Sequence, residues 1–151
     1  QLSELLSMAE GTQHILAINI KSDGLAELIG KVMANYDSSN WFVFDMSIPD
    51  FRQHIAVQNP TFVRMSEVEQ EPAWFELAKG VWLDSFESNW FDNKLINKIV
   101  SQNKRVCIVS SELHGRNYSH LWDMLLSLDK LDDIILCTDY PDKAIKFFKG
   151  K

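Results

Sequence analysis

Six short apolar runs, separated by segments of helical period, constrain this chain more than any other feature. They cover residues 15–20, 41–46, 62–65, 81–83, 106–109 and 134–137. Each is too short for a helix and rich in β-branched or aromatic residues, so each reads as a strand. Their apolar character is continuous rather than alternating, as in strands covered on both faces of a parallel sheet. Between them, Leu25, Leu28, Ile29, Val32 and Met33 follow the i, i+3, i+4, i+7, i+8 rule of a buried helix face. Leu95, Ile96, Ile99 and Val100 repeat that pattern, as do Leu121, Trp122, Leu125 and Leu126, and then Ala144, Ile145 and Phe148. Segments 49–58 and 71–78 carry it more weakly, and Leu2, Leu5 and Leu6 suggest a leading helix. Asp92 and Asp142 suit helix starts, with Pro141 in a first turn.

Successive runs stand roughly 20 to 27 residues apart, the size of a strand-helix unit. The expectation is an α/β fold: a (β/α) TIM-type barrel, incomplete at six units, with residues 1–151 forming a single domain. The strands should be parallel and in sequential order with helices outside, since strand-helix-strand crossovers are right-handed.

Composition narrows function. Hydrophobic residues make up 46% and charged residues 24%, ordinary for a globular chain. A formal net charge of −6 argues against nucleic-acid binding, which needs clustered Lys and Arg. No apolar stretch approaches the about 18 residues of a membrane span. The first ten residues have neither the basic start nor the apolar run of a signal peptide. Cys107 and Cys137 both sit inside apolar runs and read as buried free thiols, which fits a reduced, cytoplasmic setting.

Ligands of parallel α/β folds bind beyond the carboxyl ends of the strands. Those positions hold Asn19 and Lys21; Asp45 and Ser47; Arg64, Ser66 and Glu67; Asp84, Ser85 and Glu87; Ser110, Ser111, Glu112 and His114; and Thr138 and Asp139. Individually such residues cap helices or meet solvent. Together they suggest one polar rim of Asn19, Asp45, Glu67, Asp84 and Glu112, suited to a hard cation such as Mg or Ca. Lys21 and Arg64 would hold a phosphate there. His114 is the candidate for proton chemistry, given the pKa range of histidine. His14, His54 and His120 carry no assigned role. Trp41, Trp82 and Phe44 read as core, while Trp74, Trp90 and Phe91 are placed over the rim. Neither a glycine-rich phosphate loop, nor a zinc spacing, nor a nucleophile elbow is present.

The opening Leu2-Ser3-Glu4-Leu5-Leu6 followed by Leu16-Ala17-Ile18-Asn19-Ile20-Lys21, and the closing run from Ile134 to Thr138-Asp139-Tyr140-Pro141, resemble the glycerophosphodiester phosphodiesterase family. That family belongs to the phosphatidylinositol-phospholipase-C-like barrels. The resemblance implies strands three to eight of an eight-stranded barrel, and it implies that Lys21 contacts substrate phosphate. The family's His-Arg pair, Glu-x-Asp metal pair and second catalytic histidine have no counterpart, and its strand-three glutamate is Asn19. The family's Trp-Thr region on strand seven is replaced by residues 107–111. Either the chain is the remainder of a longer phosphodiesterase-like hydrolase or it is a natural partial barrel. A helix starting at Gln1 with no strand before it favours the former. The expected function is that of a phosphoric diester hydrolase lineage, with little hydrolysis by this chain itself. The alternatives are a non-catalytic module binding a phosphorylated small molecule, a homodimer assembled through open sheet edges, or an unrelated α/β enzyme with a Rossmann-like open sheet.

Overall fold

The structure is a computed structural model and describes residues 2–9, 11–12, 14–128 and 133–149, so Gln1 lies outside the described residues. Strands and helices alternate except between β3 and β4: α1 (Leu2–Ala9), β1 (Leu16–Asn19), α2 (Ala26–Met33), β2 (Trp41–Phe44), α3 (Ile48–Ala56), β3 (Phe62–Met65), β4 (Gly80–Leu83), α4 (Asn93–Ser101), β5 (Arg105–Val109), α5 (Ser119–Leu126), β6 (Ile134–Cys137) and α6 (Pro141–Phe148). All six expected strands form. The weaker helical segment at 49–58 becomes α3, whereas that at 71–78 yields only a 3-10 turn, Phe75–Leu77. Asp92 caps α4 by accepting the N–H of Leu95 at 3.0 Å. Asp142 instead lies inside the first turn of α6, behind Pro141.

The fold is α/β with parallel sheets. β1 pairs with β2 in parallel, and β3, β4, β5 and β6 form a second sheet in sequential order. The β4–β5 and β5–β6 pairs are parallel. The chain divides into two compact units, Gln1–Phe62 with Glu76–Ala78, and Val63–Phe75 with Lys79–Lys151.

In the first unit, Ile20, Ile29, Met33, Trp41 and Val43 form a buried cluster, with Leu2, Leu6, Leu16, Ile18 and Leu25 packed against it. All four β2 side chains are buried, and Phe42 stacks on Phe62 with ring centres 3.9 Å apart. β2 also extends toward the next segment, since the Val43 N–H donates to the Pro60 carbonyl at 2.8 Å. The buried face of α2 runs through Ala26, Ile29 and Met33, so Leu28 and Val32 turn outward rather than into the expected stripe. In the second unit, Val81, Leu83, Val106 and Ile108 are fully buried strand residues, and α4 and α5 bury Ile96, Ile99, Leu121, Trp122 and Leu125. Phe91 is buried rather than set over a rim, while Trp74 is partly exposed. The ring of Trp122 meets those of Tyr118, Phe147 and Phe148. Among the described residues no helix is long and apolar enough to cross a membrane.

Candidate functional site

The strand exits of the first unit place Asn19 at the end of β1, exposed, with Lys21 two residues on. Asp45 follows β2 directly and adopts φ 68°, a left-handed conformation that Asp tolerates better than most side chains. That turn brings its carboxylate 2.6 Å from the Lys21 ammonium, whose side chain stays largely exposed. Ser47 accepts the Asp50 N–H at 3.3 Å as the cap of α3, and its hydroxyl donates to Asp23 at 2.9 Å.

The second unit holds the remaining rim candidates. Arg64 does not project beyond its strand: it is an exposed residue within β3, 3.5 Å from Glu69. Glu67 reaches the loop after β4 and accepts the N–H groups of Phe86 at 3.1 Å, Glu87 at 2.6 Å and Ser88 at 3.2 Å. Slight burial works to raise its pKa, but these backbone donors outweigh it and hold the carboxyl below its ordinary value. Glu112 lies across the exits of β5 and β6, accepting the hydroxyls of Ser110 and Thr138 and the Asp139 N–H at 3.2 Å. There too burial pushes upward and the hydrogen bonds prevail, so the carboxyl is lowered.

Asp84 and His114, singled out separately in the sequence, form a carboxylate–imidazole pair. Asp84 follows β4 directly and is buried, with its N–H donated to the Met65 carbonyl at 2.8 Å. His114 ends the 3-10 turn Ser111–His114, which Gly115 closes at φ 70°. The His114 Nε2 stands 2.7 Å from the Asp84 carboxylate, which also accepts the Ser85 N–H at 2.8 Å. The Phe86 ring lies edge-on to the imidazole with centres 5.3 Å apart. A carboxylate on Nε2 fixes the orientation of the ring, so that Nδ1 is the nitrogen that can meet a ligand. Cys107 and Cys137 are free thiols, and burial pushes both above their ordinary value, so neither is a ready nucleophile.

The sequence reading missed a buried polar network in the first unit. His54 and Asp50, both on α3, are almost wholly buried with Nε2 and Oδ2 3.3 Å apart. The Asn59 amide nitrogen lies 2.9 Å from His54 Nδ1 and donates to the Ala26 carbonyl at 3.0 Å. Asp50 also accepts the Gly24 N–H at 2.9 Å. Because Asn59 has its donor on Nδ1, that nitrogen accepts and Nε2 carries the proton toward Asp50. The i, i+4 spacing of Asp50 and His54 was the available signal, but it reads as an exposed helix pair unless burial is known.

A divalent Mg or Ca ion needs six or more oxygen ligands, carboxylates prominent among them. Among the described residues no three His, Cys, Asp or Glu side chains converge to hold a metal ion. Asp45 faces a lysine, and Glu67 and Glu112 are engaged by the protein's own donors. As the described residues are arranged, these carboxylates form no such centre. Comparison of the chain with protein-family models, with curated proteins and with solved structures finds no match.

Proposed function

We propose that this chain is a partial (β/α) barrel of the glycerophosphodiester phosphodiesterase-like lineage that binds a phosphorylated small molecule without hydrolysing it. The observation that carries the reading is the engagement of the strand-end carboxylates: Glu67 and Glu112 accept internal donors and Asp45 pairs with Lys21. Carboxylates so committed support fixed loops rather than a cation that activates a phosphodiester. Lys21 is the phosphate contact, an exposed ammonium at the exit of β1. Its salt bridge to Asp45 is a modest surface pair that an incoming phosphate dianion can displace.

The test is titration calorimetry with glycerol 3-phosphate on the parent, Lys21→Ala and Lys31→Ala. Lys31 is a matched control, equally exposed and 3.6 Å from Glu27. Loss of one charge-assisted hydrogen bond should weaken binding about tenfold for Lys21→Ala only. Equal effects would remove Lys21 from the site. Hydrolysis of a generic phosphodiester with added Mg or Ca should be negligible.

The Asp84–His114 pair favours a second reading, an acid-base enzyme on another substrate. Turnover that disappears in His114→Ala would establish that reading and overturn the first. Self-association belongs beside both, since among the described residues β1 pairs only with β2 and β6 only with β5.

A further inference from the structure

We propose that the loop after β4 is a binding site for a small oxyanion, carboxylate or phosphate, which the protein fills with Glu67 as a displaceable plug. Three consecutive N–H groups, from Phe86, Glu87 and Ser88, converge on the two Glu67 carboxylate oxygens at 2.6 to 3.2 Å. Successive backbone amides aimed at one point form an anion nest, the arrangement proteins use for phosphates and carboxylates. All three residues are exposed, so a ligand can reach the donors from solvent once the plug leaves.

The donors are held in place independently of the plug. Arg116 grips the loop by donating to the Ser85 carbonyl and, at 3.1 Å, to Asn89 Oδ1. The Ser85 hydroxyl donates to the Ser88 carbonyl, and the Trp90 indole N–H donates to the Asp84 carbonyl at 2.7 Å. Arg116 also places a permanent positive charge beside the loop, the sign an anion needs. Glu67, by contrast, sits on the short turn closed by the reciprocal Ser66–Glu69 backbone bonds. Its side chain is joined to the loop through its carboxylate, so rotation about its own bonds frees the nest without moving a core residue. An intramolecular carboxylate has a high effective concentration, which keeps the site closed to weak external anions. This proposal uses no residue of the Lys21 reading and stands whether or not that reading holds.

The experiment is amide NMR on the parent and Glu67→Ala, titrated with sodium acetate or sodium phosphate against chloride at constant ionic strength. Saturable shifts of the Phe86, Glu87 and Ser88 amides are expected in Glu67→Ala, with apparent affinity at least tenfold weaker in the parent. The acetate and phosphate arms distinguish a planar from a tetrahedral ligand. Amides unmoved by either anion in the variant, or equal shifts in both proteins, would overturn the proposal. Should Glu67→Ala broaden the loop resonances, acetate that restores them supports the site and acetate that does not refutes it. Glu67→Gln, which keeps the side-chain volume without the charge, should take up either anion more tightly than the parent.

Discussion

Gly30 lies in the middle of α2, where alanine is ordinarily the better residue by about 1 kcal/mol. At this position the substitution should have the opposite sign. A Cβ on Gly30 would stand 3.0 Å from the Asn59 side-chain oxygen and 3.9 Å from Val57 Cγ2. The nearer contact is too tight for an unmoved neighbour, and Asn59 is poorly able to give. It is buried, and its amide nitrogen is committed to the Ala26 carbonyl and to His54 Nδ1. Tilting that amide strains two buried hydrogen bonds, and leaving such groups unsatisfied costs about 1–3 kcal/mol. Set against the helix gain, Gly30→Ala should destabilise by about 1 kcal/mol. In an Asn59→Ala background the obstruction is gone, and the same change should stabilise by about 1 kcal/mol. Urea unfolding of the four proteins in this cycle, followed by far-ultraviolet circular dichroism, reads the coupling directly, expected at about 2 kcal/mol. A Gly30→Ala protein more stable than the parent, or a coupling near zero, would refute the steric argument.

Burial holds the His54 imidazole below its ordinary pKa against the opposing pull of Asp50, so the native state takes up a proton less readily than the unfolded chain. Stability should be full above about pH 6.5 and fall below it, by at most about 1.4 kcal/mol per pH unit, down to the folded pKa. His54→Leu should flatten that slope in unfolding curves, and an unchanged slope would assign it elsewhere. Glu112, lowered by its hydroxyl and N–H donors despite burial, contributes stability that is complete above the unfolded carboxylate pKa of about 4.3. That contribution disappears as pH falls through the folded value, so Glu112→Gln should lose stability at neutral pH and show a shallower acid limb. Among the described residues the edges of β1 and β6 each lack a strand neighbour on one side, and all four β6 residues are only half-buried, so light scattering should show concentration-dependent association. A monomer at high concentration with slowly exchanging edge amides would show that the chain protects those edges itself.

Much of the architecture is written in local patterns of residues. A continuous apolar run such as 106–109 has one stable use, a strand covered on both faces, and Asp92 caps a helix that begins one residue later. These features depend on neighbours within one or two turns, and sequence contains them. The division of roles among the polar residues does not arise locally. Glu67 and Glu112 read as equal members of an acidic rim, yet folding gave the first to a loop 19 to 21 residues away and the second to hydroxyls on two strand exits. His54 carried no assigned role, since the i, i+4 spacing to Asp50 gives no local sign that the pair is buried. Only tertiary packing, which set Asn59 between His54 and the first residue of α2, buried the pair and made the hydrogen bonds necessary. Sequence alone determines which groups are polar and where the short strands lie. The partners of a polar group depend on long-range approach, and burial in a medium of low dielectric makes those partners obligatory.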